Sequence, residues 1–210
     1  MSFPYLPFEP IKGSPSHHDS SEYCRYYEIA GLTIKVESDL PLTDRTFQPK
    51  FQHFQMPKPG NDIISIHHRF ELPDLEGHDI GERVYSKRPW VISRKDDRWI
   101  YQCVAGNGEV KTFQISVFNQ DHTQVRIYNG GWNKYHFLEG GFHSLTLFPT
   151  DQILVARVLA DRQACYLHSV GVVLKGKGLL FVGHSTAGKS TISKLLGQQV
   201  TILCGDRNIG

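Results

Sequence analysis

No apolar run in this 210-residue chain approaches the roughly 20 residues that a membrane-spanning helix needs. The N-terminus, Met1-Ser-Phe-Pro-Tyr-Leu-Pro-Phe8, has no charged segment followed by a long apolar core. Neither a spanning helix nor a secretory leader is expected, and the chain reads as soluble and cytoplasmic. Charge of one sign is lacking too: 23 basic and 21 acidic side chains leave a net charge of +2. That balance gives no electrostatic reason to expect nucleic acid or an anionic membrane as partner. Cysteine is sparse, and Cys24, Cys103, Cys165 and Cys204 form no C-x-x-C pair. Neither a zinc site nor a redox motif is indicated, and reduced, mostly buried thiols are expected.

What is present is an ordinary globular composition, 40% hydrophobic, enough for one large domain or two small ones. Residues 1–25 are rich in Pro and Ser and read as a flexible lead-in carrying His17-His18. Residues 26–145 read as an antiparallel β-rich domain. Leu32, Ile34 and Val36 alternate with polar or small residues, as do Phe113, Ile115 and Val117, the period of a half-buried strand. Trp90–Ser93 and Trp99–Val104 form one expected hairpin across residues 94–98, and Thr112–Phe118 returns as Thr123–Tyr128. The stretch Pro41–Asn61, with its prolines and weak periodicity, predicts a long loop over the sheet.

Eleven histidines invite a metal reading. Neighbours on a strand face opposite sides, so His67 and His68 are poorly placed to share one ion. Ile64, Ile66 and Phe70 put His68 on the apolar side, and packed or surface imidazoles are expected in place of metal ligands. Trp90, Trp99 and Tyr101 would line a groove or, as cross-strand pairs do more often, fill a core.

Asn129-Gly-Gly-Trp132 and Gly140-Gly141 mark a change of character, and Thr150-Asp151 caps an expected helix running to about Arg162 with Ile153, Leu154, Val158 and Leu159 as its stripe. A strand Cys165–Leu174 and a Gly-Lys-Gly turn at 176–178 lead to the apolar run Leu179-Leu-Phe-Val182, read as a buried strand. Gly183-His184-Ser185-Thr186-Ala187-Gly188-Lys189-Ser190 then matches G-x-x-x-x-G-K-[ST] at every fixed position, with Thr191–Gly197 as the following helix. In such a loop backbone N–H groups face phosphate oxygens at the positive end of a helix, so Gly183 to Thr191 are the expected ATP contacts. Lys189 reaches the β- and γ-phosphates, and Ser190 supplies a hydroxyl to Mg²⁺. Thr186 is the oddity, because a Cβ there is tolerable only if φ stays negative, and otherwise phosphate affinity falls.

Leu167-His168-Ser-Val-Gly-Val172, the short turn, Gly178–Gly183, the loop, and Ile202-Leu-Cys-Gly-Asp206-Arg207 together resemble the kinase domain of HPr kinase/phosphorylase and its relatives. The resemblance covers roughly residues 150–210. It implies a fold of α+β type, with the β-rich domain followed by a partial P-loop α/β domain over 146–210. It also implies catalytic roles for Lys189, His168 and Asp206, with Ser190 and Asp206 at the metal. In that family two adjacent aspartates divide metal contact and hydroxyl activation, and here Gly205 stands in the first of those places. His168 has a second reading as a buried imidazole bonded to backbone.

The implied activity is transfer of the γ-phosphoryl group of ATP to a serine of a small protein or peptide. The alternatives are a nucleotide-binding or substrate-presenting module without catalysis, or another P-loop ATPase. Each βαβ unit takes about 30 residues, and with 20 residues after Ser190 only the first strand-loop-helix-strand fits, so a truncated form is expected. An open sheet edge makes a homo-oligomer an expected possibility as well.

Overall fold

The computed structural model describes residues 20–105, 111–146, 151–184, 186–204 and 207–209. They divide into two compact units, one ending at Asp151 and the other beginning at Gln152, a few residues beyond the boundary read at 145/146. The architecture is mixed α+β, mostly strand.

In the first unit a helical turn, α1 (Ser20–Tyr23), enters the hairpin of β1 (Cys24–Ile29) and β2 (Leu32–Ser38). Regular structure therefore begins inside the stretch read as a flexible lead-in, while His17 and His18 lie outside the described residues. Ala30 and Gly31 close the hairpin with φ of 53° and 78°, the positive pair that a tight two-residue turn requires. Then follow β3 (Gln55–Met56), β4 (Ile63–Arg69), β5 (Glu82–Lys87), β6 (Trp90–Lys95), β7 (Arg98–Ala105), β8 (Lys111–Phe118), β9 (Gln124–Asn129) and helix α2 (Gly131–Glu139). The sheet has nine strands in the order β3-β1-β2-β4-β9-β8-β7-β6-β5.

This sheet is not wholly antiparallel, which corrects the sequence reading: β2 with β4, and β4 with β9, pair in parallel. Alternation reports which face of a strand is buried and carries no information on its direction. Direction is decided by the connections. The segment between β2 and β4 is long enough to cross back over the sheet, and so is that between β4 and β9. The 41–61 stretch is correspondingly more than a loop. It contains a 3₁₀ turn, Pro49–Phe54, and β3, which pairs with β1. Phe47 and Phe51 from it stand edge-on to Tyr27 at centroid distances of 5.9 and 6.1 Å.

Register assembles the core. Ile34 faces Ile64, Val36 faces Ile66, and Ser38 faces His68. Across the next pair Ile66 faces Val125 and His68 faces Ile127, and beyond it Phe118 faces Val125. All of these are buried, and the β-branched side chains among them suit a pleated surface. Each buried Ile or Val contributes about 1.5–3 kcal/mol. The opposite face has its own cluster, Ile100, Ile115 and Val117 under Leu72, Leu75, Ile80 and Tyr128. Because β8 is covered on both faces, its residues Gln114 to Phe118 are all buried and the expected alternation is lost. Tyr101 is a core residue and Trp90 and Trp99 are half-buried. The two hairpins form as read, except that the first closes in two residues, Asp96 and Asp97, since Lys95 already pairs with Arg98.

The second unit comprises α3 (Asp151–Ala160), β10 (Tyr166–Leu174), β11 (Lys177–Val182), α4 (Lys189–Leu196), β12 (Thr201–Cys204) and β13 (Arg207–Ile209). Leu154, Val155, Val158 and Leu159 form the buried stripe of α3, while Thr150 and the Ile153 side chain lie outside what is described. Its last turn carries an Arg157–Asp161 ion pair at 2.6 Å. β10 is the central strand and pairs antiparallel with β11, β12 and β13. β11 and β12 run in the same direction through the α4 crossover, but β10 lies between them.

A second correction concerns β11. It is an edge strand, with Leu180 45% and Val182 62% exposed, not a buried one. An apolar run specifies the affinity of a strand for cover, not whether a neighbour is present. Its turn is Lys175-Gly176, with φ of 52° and 75°, one residue earlier than the Gly-Lys-Gly reading.

Candidate functional site around the 183–190 loop

β11 delivers the chain to Gly183, whose N–H donates to the His168 carbonyl at 3.3 Å. The backbone ladder of β10 thus runs up to the first residue of the loop and puts His168 beside it. The His168 side chain is exposed, so the reading of a buried imidazole is corrected: position 168 lies beyond the covered stretch Ser169 to Val172.

Glycines 183 and 188 have separate physical reasons. A Cβ on Gly183 would stand 2.9 Å from the Ala187 Cβ, closer than such atoms approach, so only glycine lets the two ends of the turn meet. Gly188 has φ of 84° and is the N-cap of α4. With no side chain it offers the first turn no capping acceptor; the Thr191 N–H turns back to the Gly188 carbonyl at 3.0 Å, and the Lys189 and Ser190 N–H groups sit at the positive end of an eight-residue helix. Helix α4 begins at Lys189, two residues before the start read from the sequence.

Lys189 is the most constrained of the candidate residues. Although a lysine, it is only 8% exposed, and its Nζ donates to the carbonyls of Gly183 and His184, both at 2.8 Å. Its ammonium therefore sits within the turn of the loop. Two carbonyl oxygens satisfy two of its three donors and bring partial negative charge to a group that burial would otherwise penalise. His184, Thr186, Ala187, Ser190 and Thr191 are exposed around it, and the Ser190 carbonyl accepts from Ser193 Oγ at 3.0 Å. The Ala187 N–H donates to the His184 carbonyl at 3.2 Å and tightens the turn. Ser185, Gly205 and Asp206 lie outside the described residues.

Thr186 has φ of 71°. The left-handed region costs an L-residue roughly 1–2 kcal/mol, and a β-branched one is a genuine outlier there. The sequence identified the position as the one that needs negative φ, and the turn places it on the other side.

The residues present fit a phosphate group in three respects: a close-approach glycine, uncapped helix N–H groups and a lysine ammonium converge on one short turn. Ser190, at the second helical position, is exposed and offers a hydroxyl to a metal ion. Sequence reasoning located all of these. It missed the two carbonyls that hold Lys189, because backbone acceptors carry no sequence signal.

The four thiols are free and differ in exposure. Cys103 is buried, Cys24 and Cys204 are intermediate, and Cys165 is exposed, so the expectation of mostly buried thiols is corrected. Among the described residues, no helix is long and apolar enough to cross a membrane. No protein-family model, curated protein or solved structure matches the chain.

Proposed function

We propose that residues 183–191 bind Mg²⁺-ATP and that the chain belongs to a cytoplasmic phosphotransferase of the HPr kinase-like type, acting on a serine of a small protein or peptide. The observation that carries the reading is the Lys189 ammonium, held by two carbonyls inside a glycine turn at an uncapped helix N-terminus. On binding, Lys189 exchanges those carbonyls for phosphate oxygens, and the N–H groups of the first turn of α4 take the remaining negative charge. Ser190 and Asp206 would hold the magnesium ion, which neutralises phosphate charge. Asp206 would also accept the proton of the incoming serine hydroxyl. His168, exposed beside the start of the loop, would face the acceptor.

One observation favours a second reading. Gly205 leaves a single carboxylate, Asp206, for two tasks, which suits a module that binds nucleotide or presents a substrate without transferring phosphate.

Thermal unfolding of the chain with and without Mg²⁺-ATP tests the binding step, because a ligand of the folded state raises the midpoint by mass action. A rise that Lys189→Ala abolishes supports the loop as the site, and no rise in the intact protein refutes it. Phosphoryl transfer from labelled ATP to serine peptides, lost in Asp206→Asn, separates the kinase from the binding module.

A further inference from the structure

Nothing in the local sequence relieves Thr186 of its positive φ, so something outside the residue must hold it there. Three features converge on the chain at either side of it. Lys189 Nζ bonds to the Gly183 and His184 carbonyls, the Ala187 N–H bonds to the His184 carbonyl, and Gly183 packs against Ala187 so closely that no Cβ fits between them. Together they tie residues 183 and 184 to residues 187 and 189 and leave Thr186 at the apex of a closed turn.

We propose that the loop is a strained turn strapped by its own lysine, and that residue 186 sets how loosely the site takes a nucleotide. The affinity half of this inference rests on the nucleotide reading above; the strap rests on geometry alone. In the ligand-free chain the strapped turn, with Thr186 at positive φ, exchanges with an opened turn in which Thr186 relaxes to negative φ, and Lys189 opposes that opening. A bound phosphate withdraws the ammonium from its carbonyls, so the ligand must itself take over the task of keeping Thr186 at positive φ. The competent turn is therefore less populated than it would be with glycine, and the apparent affinity falls by that fraction.

The experiment compares the full chain with Thr186→Gly, Thr186→Asn, Lys189→Met and the Thr186→Gly/Lys189→Met double variant, reading both the ligand-free thermal midpoint and Mg²⁺-ATP affinity by calorimetry. Glycine and asparagine both tolerate positive φ. Both single changes at 186 are expected to raise the ligand-free midpoint by about 2 °C and to tighten Mg²⁺-ATP binding about three- to tenfold. The loss of midpoint caused by Lys189→Met is expected to shrink when residue 186 is glycine, since an unstrained turn needs no strap. Unchanged midpoints and affinities in both variants overturn the proposal. So does a higher midpoint with unchanged affinity, because the strain would then be equal in free and bound loops. If neither the wild type nor any variant binds Mg²⁺-ATP, the nucleotide reading fails. The strap is then judged by the midpoints alone, where strictly additive losses refute it.

Discussion

The His68 imidazole, fully buried on β4, donates its Nε2–H to the carbonyl oxygen of Leu145 at 2.8 Å, across 77 residues of chain. A carbonyl can only accept, so the proton must reside on Nε2, leaving Nδ1 as an acceptor facing the Asn129 amide at 3.4 Å. Burial pushes the imidazole down to about 4, against a smaller upward pull from the Leu145 carbonyl. Around it lies a buried polar group. Asn129 Oδ1 accepts from Gln114 at 3.0 Å and from Asn133 at 3.3 Å, and Gln114 also donates to the Thr146 carbonyl at 3.0 Å. These bonds fasten α2 and the 144–146 segment to the end of the sheet.

The His68 arrangement makes the first unit acid-sensitive with a definite sign. An unfolded histidine takes a proton near pH 6.5, whereas folded His68 does so only near 4. Above pH 6.5 both states are neutral and nothing is lost. Between 6.5 and 4 the unfolded state binds more protons, so stability falls as pH falls, by about 3 kcal/mol in all, and the loss levels off below 4. Urea denaturation at a series of pH values should show this slope, and His68→Gln should flatten it.

Removing the Asn129 side chain should cost about 3 kcal/mol. Asn129→Ala strips the buried Gln114 and Asn133 of an acceptor and the Arg69 carbonyl of a donor. The expected result in chemical denaturation is a lower midpoint with an unchanged slope, whereas a change below 0.5 kcal/mol, about the noise of surface substitutions, would show that the cluster does not hold the segment.

Packing should separate two aliphatic residues of similar size. Ile66→Ala, at a 1% exposed position facing both Val36 and Val125, should destabilise by about 2–5 kcal/mol. Leu195→Ala, 78% exposed on α4, should stay within about 0.5 kcal/mol. Denaturation curves of the two variants against the wild type decide it.

The cysteines should label in order of exposure. Cys165 is exposed and should react with a thiol reagent in the folded protein. Cys103 is buried, and burial pushes its thiol up to about 11, so it should stay unmodified until the first unit unfolds. Mass spectrometry of briefly alkylated protein, with and without urea, reads both. Early modification of Cys103 would mean that the sheet opens locally.

Several features were legible from residue order because they are local. The alternation of Ile64, Ile66 and His68 put His68 inside, and it is inside. The hairpins were found from turn residues near where they occur, although their closing pairs were displaced by a residue or two. Helix α2 was not anticipated. Its bracketing glycine pairs were read as breaks, and Trp132, Tyr135 and Leu138 face outward while only Phe137 among its apolar residues is buried, so no inward apolar stripe announced it.

Local spacing alone determined where the loop 183–190 begins and ends, because a glycine turn, a lysine and a helix start depend on neighbours within a few residues. It also determined which strand faces are apolar. Only the tertiary structure decided that β2, β4 and β9 run parallel, that β11 lies at an edge, that His68 meets Leu145, and that Thr186 is held at φ of 71°. Strand direction and sheet order depend on how long connections close, buried polar pairing depends on partners tens of residues apart, and backbone strain persists only where surrounding contacts outweigh it. Each of these is a relation between distant parts of the chain, and no short window of sequence contains it.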